Sequence, residues 1–246
     1  MDPAECLPAP VRILNGTGVS PYVLLCEHSS RFIPEEYKDL GLAAEDLTRH
    51  IAWDIGAANV AEALSALLDA PLVMAGYSRL LIDLNRPVGS ATSIPEISES
   101  TVIPGNISLT PKERARRVAL YFEPYQLAVR QLLDARRDAV RATTVVGVHS
   151  FTPVYKGVAR PWHAGILHRY SNRFGHNLAQ ALGGPAKFIA ENEPYQIEDD
   201  SDYTVPVHGE ARGLDAVLVE IRQDLITHRD DAASWAARLA AALVSC

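Results

Sequence analysis

Apolar residues along this chain gather into short unbroken runs, set apart by polar stretches rich in glycine and proline. Tyr22-Val23-Leu24-Leu25-Cys26 is such a run, and its length and flanks predict a buried strand over 21–27. "TTVVGVHSF" (143–151) repeats the pattern, and "DAVLVEIRQDLI" (215–226) predicts a last strand. "PLVMAG" (71–76), "RLLIDLN" (79–85), "HAGILHR" (163–169) and "AKFIAENEPY" (186–195) predict shorter ones. Helical spacing is clearest over 44–70, where Leu47, Ile51, Ile55, Val60, Leu64 and Leu67 share a face and Gly56 divides two pieces. Residues 110–140 predict a long helical region with Thr110 as cap, Pro111 in first position and Glu113 completing a capping box. Helices are also expected over 171–182 and, alanine-rich, over 230–245. Residues 1–20 read as an irregular lead-in, and 87–109 as a long loop of the kind that covers a binding site.

Neither repeats nor a linker interrupt this order, so 1–246 is expected to form one α/β domain with a mostly parallel sheet. In such sheets ligands bind outside the carboxyl ends of the strands. His28, His149 and Glu220 fall at or near those ends and become candidates for one shared cleft.

Composition narrows the chemistry. With 246 residues and 48% hydrophobic content the chain can bury a sizeable core. A formal net charge of −7 argues against a nucleic-acid partner. Cys6, Cys26 and Cys246 are odd in number and far apart, which is neither a disulfide framework nor a CxxC zinc site and suits a reducing compartment. The opening "MDPAECLPAPVR" lacks the pattern of a signal peptide, and no apolar run reaches the ~18 residues of a membrane span. A cytoplasmic protein with a small-molecule partner and no membrane partner is expected; the oligomeric state stays open.

A catalytic zinc takes three protein ligands from His, Asp or Glu and leaves a fourth position free. His28 and His149 end similar apolar runs, and each is followed by serine. Asp54 in "RHIAWDIGA" is a carboxylate in an apolar helical stretch and needs a partner there. Glu27 and His50 are rival third ligands; His28 or His149 taken alone reads more readily as a structural histidine, and only the repeated strand-His-Ser ending brings a metal site level with that reading. Glu220, inside Val217-Leu218-Val219-Glu220-Ile221, is costly to bury unless it pairs with Arg222, Arg212 or a metal site. It reads as a general base that deprotonates the attacking water and then protonates the leaving amine, or else as half of a buried salt bridge. "SRLLIDLNRP" offers Arg79, Asp83, Asn85 and Arg86, in which arginine can grip a carboxylate bidentately, or Asp83 can pair with Arg79 or Arg86 across a turn.

The words "CEHSS…P", "HIAWDIGA", "YSRLLIDLNRP", "VGVHSFTP" and "HGEARGLDAVLVEIRQDLI", in this order from about residue 20 to 228, resemble the N-formylglutamate amidohydrolase family. That family is similar in fold to zinc carboxypeptidases and to zinc aminoacylases such as aspartoacylase and succinylglutamate desuccinylase. The resemblance implies a three-layer αβα, phosphorylase/hydrolase-like (zinc carboxypeptidase-like) fold and one zinc per chain. It implies Asn85 and Arg86 of the DLNR word, with Arg79 and Arg212, as substrate-binding residues, and Glu220 of the LVEI word as the catalytic glutamate. The aminoacylases take two ligands from an HxxE word, whereas His28 is followed by Ser29, Ser30 and Arg31, so Asp54 is taken to complete the set with His28 and His149. "ENEPY" (191–195), Tyr203 and His208 fall in the substrate-side segment. The implied activity is removal of an N-acyl group, formyl in the leading case, from an acidic amino acid. The alternatives are a carboxypeptidase- or peptidoglycan-amidase-like hydrolase and a binding protein without turnover.

Overall fold

The structure is a computed structural model that describes residues 7–246, so Cys6 lies outside the described residues. The strands of its central sheet are β1 (Val11–Leu14), β2 (Tyr22–Cys26), β3 (Leu72–Ala75), β4 (Thr144–Phe151), β5 (Ala164–Leu167), β6 (Ile189–Glu191) and β7 (Asp215–Arg222). Together they form a 7-stranded sheet in the order β1-β3-β2-β4-β7-β5-β6. The run β3-β2-β4-β7 is parallel, β1 is antiparallel to β3, and β5 is antiparallel to β7 and parallel to β6. The helices are α1 (Ala57–Leu68), α2 (Pro111–Arg117), α3 (Glu123–Asp138), α4 (Asn172–Ala181) and α5 (Arg229–Val244).

Period-two alternation along the strands splits the core into two layers. Leu24, Val146, Val148, Val217 and Val219 pack beneath α1, α4 and α5. Val23, Leu25, Val145, Ala216 and Leu218 pack beneath α3 on the other face. The expected αβα arrangement with a mostly parallel sheet is therefore present. No helix among the described residues is long and apolar enough to cross a membrane.

The departures from the sequence-based elements have local causes. Val11–Leu14, expected to be irregular, pairs as an edge strand on β3. Residues 44–55 are not an α-helix: a short 3-10 turn at Asp46–Thr48 leads into turns, and α1 begins only after Gly56. Gly56 has φ +83, and a Cβ there would stand 2.3 Å from the Ile226 carbonyl, so the chain turns sharply where a helix would have continued. Residues 79–85 form consecutive turns rather than a strand; Leu81 N–H donates to Ser78 O and Asp83 N–H to Ser93 O. Their apolar run reflects burial, since Leu80, Leu81, Ile82 and Leu84 all lie in the α3-side core.

The 110–140 region is helical throughout but widens into a π-turn at Val118–Phe122 between α2 and α3. Pro124, which lacks the N–H for a regular helical bond, follows that turn. Thr110 caps α2 as expected, accepting from Glu113 N at 3.2 Å, but the Glu113 carboxylate turns to Arg117 Nε at 3.0 Å instead of back to the cap. Buried Arg117 in turn donates to Leu81 O and to Asn106 Oδ1, which pins the 87–109 loop onto the core.

Candidate active site

His149 on β4 and Glu220 on β7 are register partners, and Glu220 is partnered by Gly165 of β5 on its other side. Both follow the alternation of Val145 and Leu218, so their side chains leave the sheet on the α3 face. Glu27 and His28 come directly after the last residue of β2.

Asp54 sits in the turn ahead of Gly56, not on a helix. Its N–H donates to His28 O at 2.9 Å, which ties this turn to the end of β2. Its Oδ2 lies 2.9 Å from His149 Nδ1 and 3.3 Å from His28 Nδ1, and the two Nδ1 atoms are 3.2 Å apart. Donors of a tetrahedral zinc site, each at roughly 2.0–2.1 Å from the ion, stand about 3.3 Å from one another. The triangle has that size and a two-nitrogen, one-oxygen donor set, and all three residues are buried. His28, Asp54 and His149 could thus hold a metal ion.

The two rivals for the third position have other partners. Glu27 lies behind His149, its Oε2 3.1 Å from Nε2, and its Oε1 accepts from the Thr204 hydroxyl. His50 lines the cavity 3.6 Å from Glu99. Asp83 hydrogen-bonds His28, with His28 Nε2 at 2.7 Å from its Oδ1, whereas Glu27 faces His149 Nε2 as a neighbouring charge without hydrogen-bond geometry. Each imidazole therefore presents Nδ1 forward and turns Nε2 to a carboxylate, and for His28 that hydrogen bond fixes the ring and raises its basicity as a ligand. This is why the first buried strand ends in Glu-His. The serines after each histidine anchor the same assembly: Ser29 Oγ donates to Ala75 O, Ser150 Oγ to Ile55 O, and Ser150 N–H to Asp54 Oδ2.

The charge around the trio favours a cation over an anion there. Burial alone would raise the Asp54 carboxyl, but His28 and His149 outweigh it and hold Asp54 well below the usual carboxylate range. Burial works to lower His149, yet its contacts with Asp54 and Glu27 outweigh that and stabilise positive charge on the ring. Arg79 flanks the trio on the cavity side, donating from Nε and Nη2 to Asp83 and from Nη1 to Asp54 Oδ1. Of the two turn salt bridges open to Asp83, the one with Arg79 forms, and it braces the histidine site.

In front lies a cavity of about 490 Å³ whose lining includes Glu220, Arg79, Arg86, His50 and Tyr195. Glu220 is buried, and its Oε2 has no hydrogen-bond partner among the described residues. The salt-bridge partners considered for it are engaged elsewhere: Arg222 with Asp224, and Arg212 with Asp134 on α3. Burial pushes the Glu220 carboxyl up to about 7, against the pull of His149 and with a further push from Asp54. Arg212 is not brought to the cavity, because its ion pair holds it against α3. Asn85 is there but turned inward: its Oδ1 accepts from Tyr203 N and Thr204 N, and its Nδ2 donates to Asp202. Arg86 faces the cavity with Nη1 on Ser201 O and near Asp202.

His208 lies under the site, fully buried, with Nε2 at 2.6 Å from Gln126 Oε1, while Gln126 donates onward to Leu84 O. Burial drops its pKa to about 4, so the folded protein keeps the ring neutral while the unfolded chain takes up a proton near pH 6.5. The unfolded state then binds more protons between these values, and stability falls as pH drops through that window, by up to about 3 kcal/mol. His208→Gln, which keeps a donor toward Gln126, is expected to flatten the decline in melting temperature between pH 6.5 and 4.5. An unchanged decline would assign it to other groups.

Sequence reasoning missed the placing of Glu27 and Asp83 against the two histidines, and also Thr204, whose hydroxyl donates to Glu27. The available signal was a carboxylate at or inside an apolar run for both Glu27 and Asp83; nothing local marked Thr204.

A mixed αβα sheet carrying a buried His-Asp-His trio and an uncommitted glutamate in one cavity defines a hydrolase-type site at the strands' carboxyl ends. The profile of the N-formylglutamate amidohydrolase family matches residues 20–227. The chain belongs to this family and so to the hydrolases that act on amides. A crystal structure of a gene product from Agrobacterium tumefaciens is similar over 98% of this chain and 96% of that one, at 37% identity and a TM-score of 0.95. An N-formylglutamate amidohydrolase from Ralstonia eutropha shares the fold at 19% identity and a TM-score of 0.68, covering 96% of this chain and 97% of that one. No curated protein shows a significant match.

Proposed function

We propose that the protein is a zinc-dependent amidohydrolase that removes an N-acyl group from an amino acid, with N-formyl-L-glutamate as the leading substrate and formate and glutamate as products. The observation that carries this reading is the Glu220 carboxylate, buried without a hydrogen bond to its Oε2 in the same cavity as the His28–Asp54–His149 trio. Such a group is costly to bury, and a base poised near neutral pH gives it a use.

His28, Asp54 and His149 would hold the ion, which when bound polarises the scissile carbonyl and makes water more acidic. Glu220 takes a proton as water adds to the carbonyl carbon. It returns that proton to the amide nitrogen as the C–N bond breaks, so the acid and the free amine leave with atoms and charge balanced. Arg86 holds the substrate carboxylate, because only its Nη1 is occupied by protein oxygens among the described residues. Arg79 flanks the carbonyl while it braces Asp54 and Asp83.

The test is formate release by the zinc-loaded protein from N-formylglutamate and from a formyl amide lacking the α-carboxylate. Arg86→Ala is expected to cut kcat/KM on the first by about 30-fold or more, the cost of a few kcal/mol for a truncated charge pair, and to spare the second. An equal loss on both would make Arg86 structural. Absence of turnover on a broad panel of N-acyl amino acids would overturn the reading.

A further inference from the structure

Arg160 is nine-tenths buried and has no carboxylate at ion-pair distance among the described residues. Its guanidinium carbon instead sits 4.6 Å from the ring centroid of Tyr155, 4.8 Å from Tyr195 and 5.9 Å from Phe151. Stacking on aromatic faces offsets part of the cost of burying a cation. Its one side-chain hydrogen bond runs from Nη1 to the Tyr195 hydroxyl oxygen, at 2.9 Å.

That bond occupies a lone pair of the phenol and leaves its own O–H without an acceptor among the described residues. Tyr195 lines the active-site cavity. Its position is fixed by a close approach: the Glu193 carbonyl would stand 1.7 Å from a Cβ at residue 165, so only glycine lets the loop lie this near β5. Gly165 is the register partner of Glu220. The loop carrying Tyr195 thus crosses the sheet beside the general base. Arg79, the cation on the same wall, has already committed donors to Asp83 and Asp54.

We propose that Tyr195 is a catalytic hydrogen-bond donor to the oxygen that gains negative charge when water adds to the substrate amide, and that Arg160 is the positioning residue that fixes and polarises its hydroxyl. This rests on the amidohydrolase reading. As the new carbon–oxygen bond forms, the carbonyl π pair moves onto its oxygen, and Tyr195 stabilises that charge without giving up its proton. When the pair returns, the C–N bond breaks and nitrogen takes its proton from Glu220. Burial, reinforced by Glu220, holds the phenol above its ordinary value, so it remains a donor across neutral pH. A buried cation behind a neutral donor strengthens the bond as charge grows.

The experiment is steady-state kinetics of zinc-loaded wild type, Tyr195→Phe, Arg160→Gln and the double variant, on N-formyl derivatives of glutamate and of an uncharged amino acid. Tyr195→Phe is expected to lower kcat by roughly 100-fold on both substrates, the scale for one oxyanion donor, with KM and zinc content near wild type. Arg160→Gln is expected to lower kcat by a smaller factor, and to add nothing once Tyr195 is Phe, since it acts through that hydroxyl. Unchanged kcat in Tyr195→Phe overturns the role while leaving the amidohydrolase reading intact. A loss confined to KM for the glutamate derivative overturns it too, in favour of side-chain carboxylate binding. A wild type that turns over no N-acyl amino acid overturns the amidohydrolase reading, and this role with it.

Discussion

Glu220→Gln is expected to reduce kcat by roughly two to four orders of magnitude while leaving zinc content unchanged. The amide keeps the shape and hydrogen-bonding capacity of the carboxyl but cannot accept the proton of the attacking water. Stability separates this outcome from a structural role. Glu220 makes no ion pair among the described residues, and burial outweighs the pull of His149 and drives its carboxyl toward the neutral form, so a neutral isostere breaks no direct pair. The melting temperature should therefore hold or rise. Near-normal kcat with a lowered melting temperature would mean that the residue supports the fold and not the reaction.

The second large effect is on metal retention, read by elemental analysis after dialysis. His149→Ala and Asp54→Ala should each take zinc from one per chain toward none, because each removes one corner of a three-donor triangle. Asp54→Ala also strips Arg79 of one of its two carboxylates. Glu27→Gln should be milder, weakening affinity by roughly 10–100-fold, as expected for a partner that orients a ligand without touching the ion. Full zinc in Asp54→Ala would return Glu27 and His50 to the third position. Equal loss in Glu27→Gln and Asp54→Ala would put Glu27 among the ligands.

Much of the sheet was legible because β2, β4 and β7 are buried on both faces, and continuous apolar runs of four to eight residues are what such strands require. The same logic misread 79–85, whose apolar residues are equally buried but whose backbone is bound into turns through Ser78 and Ser93. Helical spacing before Gly56 misled for a related reason: Leu47 packs on the α3-side core and Ile51 is buried beside the cavity, both outside any α-helix, and burial imitated periodicity. The convergence of His28 and His149 followed from two strand-His-Ser endings. Arg212 stood near the site in sequence only, since its partner Asp134 belongs to an element nearly eighty positions earlier. Arg160 and Tyr195 meet across 35 residues, a pairing that no local pattern encodes.

The Asn85 side chain joins the turn after Asp83 to the segment at 202–204 by three hydrogen bonds. Two walls of the cavity, far apart in sequence, are thereby riveted by one amide group. That cross-link opposes any splaying of the two walls. At the mouth of the vessel the short ribbons Ile97–Ser98 with Thr101–Val102 and Val154–Tyr155 with Val158–Ala159 meet through the Lys156 amide and Glu99. A guest passing between them would meet walls already tied together, so its reach into the cup would matter more than closure around it.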